Sequence, residues 1–154
     1  MAVRPKDTRP HVIVVEDEQF QRETLVDFLD ENGYRASGVD SGMALRKLVE
    51  KDPPALVLLD LRLPGMSGLD ALPEFARRLP RAGIIILTQS DREADVLRAI
   101  ALGADGYLLK SSTIMQIKEG IRTVARGGAS LDPSVAKFLL QTLQERLPRD
   151  EVGQ

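Results

Sequence analysis

The stretch LVLLDLRLPGMSG, residues 56–68, places an acidic residue directly after four consecutive apolar ones. Its first four residues, Leu56 to Leu59, do not alternate with polar residues, which is typical of a strand covered on both faces of a parallel sheet. Asp60 follows this run, and Pro64-Gly65 is a turn signal. The stretch therefore predicts a buried strand that brings Asp60 to one edge of a sheet.

Further runs of the same kind occur on both sides of this stretch, and helical patterns separate them. The runs are residues 12–15, 84–87 and 107–109, and residues 34–37 form a more polar candidate that suits a sheet edge. Between the runs, apolar residues recur at the spacing of amphipathic helices. This alternation predicts an α/β fold in which helices cover both faces of a five-stranded parallel sheet, a doubly wound arrangement.

Several local signals mark where the helices begin and where the chain continues past the sheet. Ser41, Asp91 and Ser112 are the expected N-caps of three helices. After Gly127-Gly128, a further helix is expected over residues 134–147, and its apolar stripe would be formed by Leu139, Leu140, Leu143 and Leu147. We therefore expect a flexible N-terminus at 1–9, one domain at 10–127, and a linker helix with a tail at 128–154.

The composition excludes several classes of function. The formal net charge is −2 and the Lys and Arg residues are scattered, which argues against binding to DNA or to an anionic membrane. There is no cysteine and only one histidine, so disulfides, thiolate metal sites and multi-histidine zinc sites are excluded. No apolar run approaches a membrane span and the N-terminus has no signal core, so we expect a cytoplasmic protein.

Polar residues follow four of the predicted strands, at the point where each strand ends. They are Glu16 and Asp17, Asp60, Thr88, and Lys110. Because the carboxyl ends of parallel strands meet at one edge of a sheet, we expect these side chains to form one site. Close carboxylates favour a cation, and oxygen ligands favour Mg²⁺. An aspartate can accept a phosphoryl group as a nucleophile, while an ammonium and a hydroxyl can bind the phosphoryl oxygens.

Four segments carry a resemblance to a known family, namely VVEDE (14–18), LLDLRLPGMSG (58–68), ILTQS (86–90) and GADGYLLK (103–110). In this order, they resemble the receiver domain of bacterial two-component response regulators, over roughly residues 10–127. The resemblance implies a flavodoxin-like (βα)5 fold with strand order 2-1-3-4-5. It also implies a phosphoacceptor signalling domain with Mg²⁺ as cofactor and a histidine kinase as partner. Such a domain is not an enzyme beyond self-phosphorylation and autodephosphorylation.

The resemblance further implies a role for each matching residue of the site. Asp60 is the expected phosphoacceptor. The expected Mg²⁺ ligands are Asp60, Asp17, Glu16 through water, and the backbone carbonyl of Arg62. The expected contacts of the phosphoryl group are Thr88, Lys110, and the backbone of Gln89 and Arg62.

The switch that the resemblance implies couples Thr88 to Tyr107. As Thr88 moves toward the phosphoryl group, Tyr107 would swing inward and reshape the face formed by the fourth helix, the fifth strand and the fifth helix. A homodimer is expected through this face or through the linker helix.

The C-terminal part resembles one subclass of the family, the NarL/FixJ-type regulators. The segments that carry this resemblance are GADGYLLK (103–110), IRTVARGG (121–128) and SLDPSVAKFLL (130–140). In that subclass a linker leads to a helix-turn-helix of the LuxR type, which does not fit after Leu147. We therefore expect control of transcription through an output domain absent from this chain, and no specific DNA binding by the chain alone.

Two residues depart from the family pattern, and two alternative functions stay open. Gln89 stands where the family usually has a small residue, and Ser111 stands where many members have a proline with a cis peptide bond. A phosphatase similar to the haloacid dehalogenases would also use an aspartate nucleophile, but it usually carries a carboxylate where Arg62 stands. A binding module that no longer accepts a phosphoryl group is the other alternative. Gln89 keeps it open, while five retained residues argue against it, namely Glu16, Asp17, Asp60, Thr88 and Lys110.

Overall fold

Strands and helices alternate along residues 6–147, which are the residues that the computed structural model describes. The strands are β1 (His11–Val15), β2 (Arg35–Val39), β3 (Leu56–Leu59), β4 (Arg62–Leu63), β5 (Met66–Ser67), β6 (Gly83–Thr88), β7 (Gly106–Leu109) and β8 (Ser130–Leu131). The helices are α1 (Gln19–Glu31), α2 (Gly42–Lys51), α3 (Gly68–Arg78), α4 (Glu93–Ala101), α5 (Ile114–Ala125) and α6 (Pro133–Arg146). None of these helices is long and apolar enough to cross a bilayer.

Six strands pair into one parallel sheet in the order β2-β1-β3-β6-β7-β8, and β4 and β5 form a separate antiparallel pair. The first five of these six strands are the predicted ones, and they follow the predicted order 2-1-3-4-5. The α/β class is therefore confirmed, with β2 at the expected edge. The sixth strand, β8, was not predicted, because a strand of two residues leaves no hydrophobic pattern in the sequence.

Each central strand contributes to two hydrophobic cores, since successive side chains of a strand point to opposite faces. Val57 and Leu59 pack on one face, against apolar residues of α2, α3, α4 and α6. Leu56 and Leu58 pack on the other face, against α1 and α5. The sheet is thus covered on both sides, which explains why the runs found in the sequence lack polar residues.

Side-chain caps begin several helices, and one of the three predicted caps is confirmed. Ser41 caps α2, because its Oγ accepts a hydrogen bond from a backbone amide of the first turn at 3.1 Å. The predictions for Asp91 and Ser112 are wrong, since α4 and α5 each start one residue later, after Arg92 and Thr113. For α5, both Ser112 and Thr113 are capping residue types, so the sequence does not decide between them. For α4, the N-cap Arg92 makes no side-chain capping bond, so the start of the helix has no sequence signal.

The C-terminal segment is attached to the domain rather than separate from it. β8 pairs with β7, with Leu131 beside Tyr107, and α6 then lies against α4. Val135 of α6 is 3% exposed and belongs to the core. The three segments expected from the sequence, 1–9, 10–127 and 128–154, stay predictions, and residues 1–5 and 148–154 lie outside the described part.

Candidate functional site

Four parallel strands end at the same edge of the sheet and deliver the predicted residues to it. Glu16 and Asp17 follow β1, and Asp60 follows β3, with its backbone amide donating to the carbonyl of Val15 at 3.2 Å. On the next strands, the backbone amide of Lys110 donates to the carbonyl of Thr88 at 2.8 Å. Main-chain hydrogen bonds between neighbouring strands therefore fix the relative positions of these residues.

Three carboxylates converge at this edge. Glu16, Asp17 and Asp60 each offer an oxygen, and these oxygens lie within 4.8 Å of one another. Glu16 is 2% exposed and Asp60 is 8% exposed, whereas Asp17 is open to solvent. Like charges that are this close and partly buried raise the pKa of one carboxyl group or favour a compensating cation. A set of carboxylate oxygens with one open side fits Mg²⁺, which retains several of its waters.

Lys110 supplies one positive charge inside this group. Its Nζ donates to Asp60 Oδ2 at 2.8 Å, to Glu16 Oε1, and to Gln21 Oε1 at 2.8 Å. Gln21 was not among the predicted site residues. Its place in the first turn of α1, the helix that directly follows Glu16 and Asp17, is the signal that could have indicated it. The ammonium thus joins three separate elements, namely the ends of β1 and β3 and the first turn of α1.

Burial and close charges set the ionisation of the site. Burial raises the pKa of Glu16 to about 7, and the carboxylate of Asp60 adds to the rise while Lys110 opposes it. Burial alone would lower the pKa of Lys110, but its hydrogen bonds to Asp60 and Glu16 outweigh this and raise it. We therefore take Lys110 as fully charged at neutral pH. Glu16 is the group whose ionisation is held back, mainly because it is buried and further because the carboxylate of Asp60 lies beside it.

The loop after β3 fixes the backbone of Asp60. The Oδ1 of Asp60 accepts a hydrogen bond from the backbone amide of Arg62 at 3.2 Å, while the side chain of Arg62 is exposed. Gly68, the first residue of α3, packs so closely that a Cβ there would lie 2.3 Å from the carbonyl oxygen of Asp60. The start of α3 therefore holds the main chain of Asp60 in place.

Thr88 and Tyr107 are connected through Ser90. The Oγ1 of Thr88 accepts from the backbone amide of Ser90 at 3.3 Å, and the hydroxyl of Tyr107 donates to the carbonyl of Ser90 at 2.7 Å. Tyr107 is completely buried, so its ring already lies in the inward position. Burial raises its pKa to about 12. Ser90 is the residue of this connection that sequence reasoning did not assign to the switch.

The predicted residues other than Tyr107 line one open cleft of about 230 Å³. Its lining residues are Glu16, Asp17, Glu18, Gln21, Asp60, Arg62, Thr88, Gln89 and Lys110. A more apolar groove of about 320 Å³ lies beside it between α1 and α5. Gln21, Gln89 and Lys110 line both spaces. A phosphoryl donor could therefore approach the carboxylates from solvent.

The two residues that depart from the family pattern also lie here. Gln89 is exposed at the border between the cleft and the apolar groove. Cis peptide bonds are absent among residues 6–147, so the Lys110–Ser111 bond is trans. Ser111, which stands where many family members have proline, therefore follows a trans peptide bond.

Comparison with known proteins identifies the family. Residues 12–122 match the response regulator receiver domain. The transcriptional regulatory protein DegU of Brevibacillus brevis is 30% identical over 148 residues, which cover 94% of this chain and 62% of the relative. The nitrate/nitrite response regulator protein NarP of Escherichia coli is 36% identical over 137 residues, with 88% and 64% covered. The chain thus spans less than two thirds of the length of these two relatives.

Solved structures share the fold. The two-component response regulator of the LuxR family from Aurantimonas sp. SI85-9A1 has a TM-score of 0.81 at 25% identity, with 88% of this chain and 98% of that chain covered. The DNA-binding response regulator of the LuxR family from Staphylococcus aureus has a TM-score of 0.70 at 30% identity, with 75% and 98% covered. The resemblance found in the sequence is confirmed, including its NarL/LuxR character: this chain belongs to the response regulator receiver domain family.

Proposed function

We propose that this receiver domain accepts a phosphoryl group on Asp60 in a Mg²⁺-dependent reaction. One observation carries the proposal: a buried Asp60 whose carboxylate is bonded to Lys110 at 2.8 Å and lies within 4.8 Å of two further carboxylates. Repulsion among the carboxylates favours a divalent cation, and the ammonium adds a charge suited to phosphoryl oxygens. This combination serves phosphoryl transfer better than any other chemistry that the cleft supports.

The residues of the cleft have different roles in the proposed reaction. Asp60, Asp17, Glu16 and the carbonyl of Arg62 would hold Mg²⁺, which supplies neutralisation of the carboxylates and of the incoming phosphoryl charge. An oxygen of Asp60 attacks the phosphorus, and the bond from phosphorus to the donor breaks, so the donor keeps the electron pair of that bond. Lys110, which already donates to Asp60, would contact the phosphoryl oxygens.

The signal would then pass from Thr88 to Tyr107. When the hydroxyl of Thr88 turns to donate to a phosphoryl oxygen, it gives up its bond with the amide of Ser90. The carbonyl of the same Ser90 accepts from Tyr107, so the two events act on one residue. The hydrogen bond from Thr88 to the phosphoryl group would thus favour one of two pre-existing arrangements of α4, β7 and α5.

The same proposal specifies the partners. The donor is a histidine kinase, and the phosphorylated domain forms a homodimer through α4, β7 and α5 or through α6. Control of transcription, as in the relatives' names, requires an output domain, so we expect no specific DNA binding by these 154 residues alone. Because α6 contacts α4, the chain itself covers part of the face formed by α4, β7 and α5.

Phosphorylation by a small acyl phosphate tests the proposal. We expect intact-mass spectrometry to show the addition of one phosphoryl group with Mg²⁺ and none after chelation. Asp60→Asn should abolish the addition, whereas Asp27→Asn, at an exposed carboxylate on α1, should leave it unchanged. Addition that survives Asp60→Asn, or that needs no Mg²⁺, would contradict the proposal. Steady turnover of p-nitrophenyl phosphate would instead favour the phosphatase alternative.

The alternative of a module that does not accept a phosphoryl group has one observation in its favour, the exposed Gln89 at the mouth of the cleft. Gln89→Ala separates the two cases. If the wild-type protein is not modified and the Gln89→Ala variant is, the glutamine blocks Asp60. If both are modified at measurable rates, the module alternative fails.

A further inference from the structure

Gln21 is bonded to the central ammonium of the site from the helix side. Its Oε1 accepts from Lys110 Nζ at 2.8 Å, across 89 positions of sequence. The backbone amide of Gln21 donates to Glu18 Oε2 at 2.6 Å, so the cap of α1 fixes the place from which the side chain extends. The first turn of α1 is thus connected directly to the residue that follows β7.

The bond to Gln21 completes the hydrogen bonding of Lys110. An ammonium has three N–H donors and no acceptor. The three acceptors around it are Asp60, Glu16 and Gln21, so each N–H has a partner and the ammonium has a defined orientation. Among the three acceptors, Gln21 is the neutral one, and it is also the one that is not a candidate Mg²⁺ ligand.

The two charged acceptors both change their role during the proposed reaction. Glu16 is shared between Lys110 and the expected cation, and Asp60 becomes an acyl phosphate. Gln21 keeps its chemistry throughout. We propose that Gln21 is a positioning residue, which holds Lys110 over Asp60 while the carboxylates exchange partners. This inference rests on the proposed function, because it assigns a role to Gln21 within that reaction.

A merely structural role for Gln21, as part of the first turn of α1, gives different expectations. Gln21→Met keeps the length of the side chain and removes the amide acceptor, while Gln21→Glu keeps an acceptor at the same atom. Gln19→Met is the matched control. Gln19 lies in the same turn, donates to Glu23 at 3.0 Å and does not line the cleft.

The first measurement uses the protein without metal or phosphoryl donor. The hydrogen exchange of the Lys110 ammonium is followed by ¹H–¹⁵N spectroscopy, with Lys110→Arg identifying the signal. We expect Gln21→Met to accelerate this exchange about tenfold, since one of three charge-assisted bonds is lost. Gln21→Glu and Gln19→Met should leave the exchange near the wild-type rate.

The second measurement is the phosphorylation rate with saturating Mg²⁺ and acetyl phosphate. We expect Gln21→Met to lower this rate about fivefold, with partial recovery in Gln21→Glu, because a displaced ammonium stabilises the transferred group less well. The Mg²⁺ affinity of Gln21→Met, measured by calorimetry, and its urea midpoint should both match those of Gln19→Met.

Three results would overturn the inference. They are unchanged ammonium exchange in Gln21→Met, an unchanged phosphorylation rate in that variant, and a rate loss explained by weaker Mg²⁺ binding. If the wild-type protein itself is not phosphorylated, the proposed function fails independently. The exchange measurement then still decides whether Gln21 holds Lys110, because it requires neither metal nor donor.

Discussion

Tyr107 combines complete burial with a single hydroxyl partner, the carbonyl of Ser90. Burial raises its pKa from 10.0 to about 12, so the folded protein favours the neutral phenol. The stabilisation linked to this shift is complete below pH 10 and is lost as the pH rises from 10 to 12. In a Tyr34→Phe variant, which keeps Tyr107 as the only tyrosine, we expect an ultraviolet titration midpoint near pH 12. A midpoint of 10 in the folded protein would contradict this expectation.

Some residues of the site were predictable from the sequence and others were not. Asp60, Thr88 and Lys110 were predicted because they directly follow or end strands, and strand polarity alone places them at one edge. Gln21 was missed because its contact depends on the rotation of α1 and on the rotamer of a long side chain. Ser90 was not assigned to the switch for a similar reason, since it acts through its backbone, which carries no residue-specific signal.

At the scale of elements, the first residue of α3 determines how closely that helix approaches Asp60. Gly68→Ala would place a methyl group 2.3 Å from a backbone oxygen that cannot move freely. We expect a loss of about 1–3 kcal/mol in the free energy of unfolding, typical of overpacking. Phosphorylation of Asp60 should also slow, because the strain acts on the backbone of the acceptor.

A matched substitution at the start of α2 controls for the change from glycine. Gly42 is also the first residue of its helix, but a Cβ there would meet only the flexible side chain of Met66 at 3.2 Å. Urea unfolding should show Gly42→Ala equal to the wild-type protein or slightly more stable. Equal effects of Gly42→Ala and Gly68→Ala would show that the contact with Asp60 is not the cause.

The capping box at the start of α5 supports a separate prediction. Thr113 Oγ1 accepts from the amide of Gln116 at 3.2 Å, and the Gln116 side chain accepts from the amide of Thr113 at 3.0 Å. Thr113→Ala should cost about 1 kcal/mol of unfolding free energy, measured in urea, while Thr113→Ser should retain most of it. Identical midpoints for the two variants would argue against the cap.

At the scale of the whole molecule, α6 belongs to the same cooperative unit as the sheet. Val135 is 3% exposed and packs in the core shared by α2, α3 and α4. Val135→Ala should therefore lower the unfolding free energy by about 2 kcal/mol, with a single transition in urea. Lys137→Ala, at an exposed position of α6, should change it little. A Val135→Ala midpoint equal to that of wild type would mean that α6 unfolds separately.

The overall architecture was largely predictable, and the docking of α6 was not. Four of the five predicted strands were indicated by unbroken apolar runs, and the fifth, the edge strand β2, by a more polar stretch. Their order was implied by the family resemblance. For α6, most of the predicted leucine stripe is not the face that contacts the domain. Leu140, Leu143 and Leu147 are 58%, 45% and 58% exposed, whereas Val135 and Phe138 face the domain. Which of the two apolar faces of α6 is buried depends on the direction in which β8 leads into the helix. A strand of two residues gives no periodic signal, so the sequence does not indicate this direction.

The way β8 leads into α6 has a mechanical consequence. The backbone amide of Asp132 donates to the carbonyl of Tyr107 at 2.9 Å, and Asp132 is also the N-cap of α6. The helix is 14 residues long, which corresponds to a rigid rod of about 21 Å. A tilt of about ten degrees about Asp132 would move the far end of this rod by about 4 Å. A small displacement of the Tyr107 backbone that tilted α6 about Asp132 would therefore be largest at Arg146, the last residue of the helix.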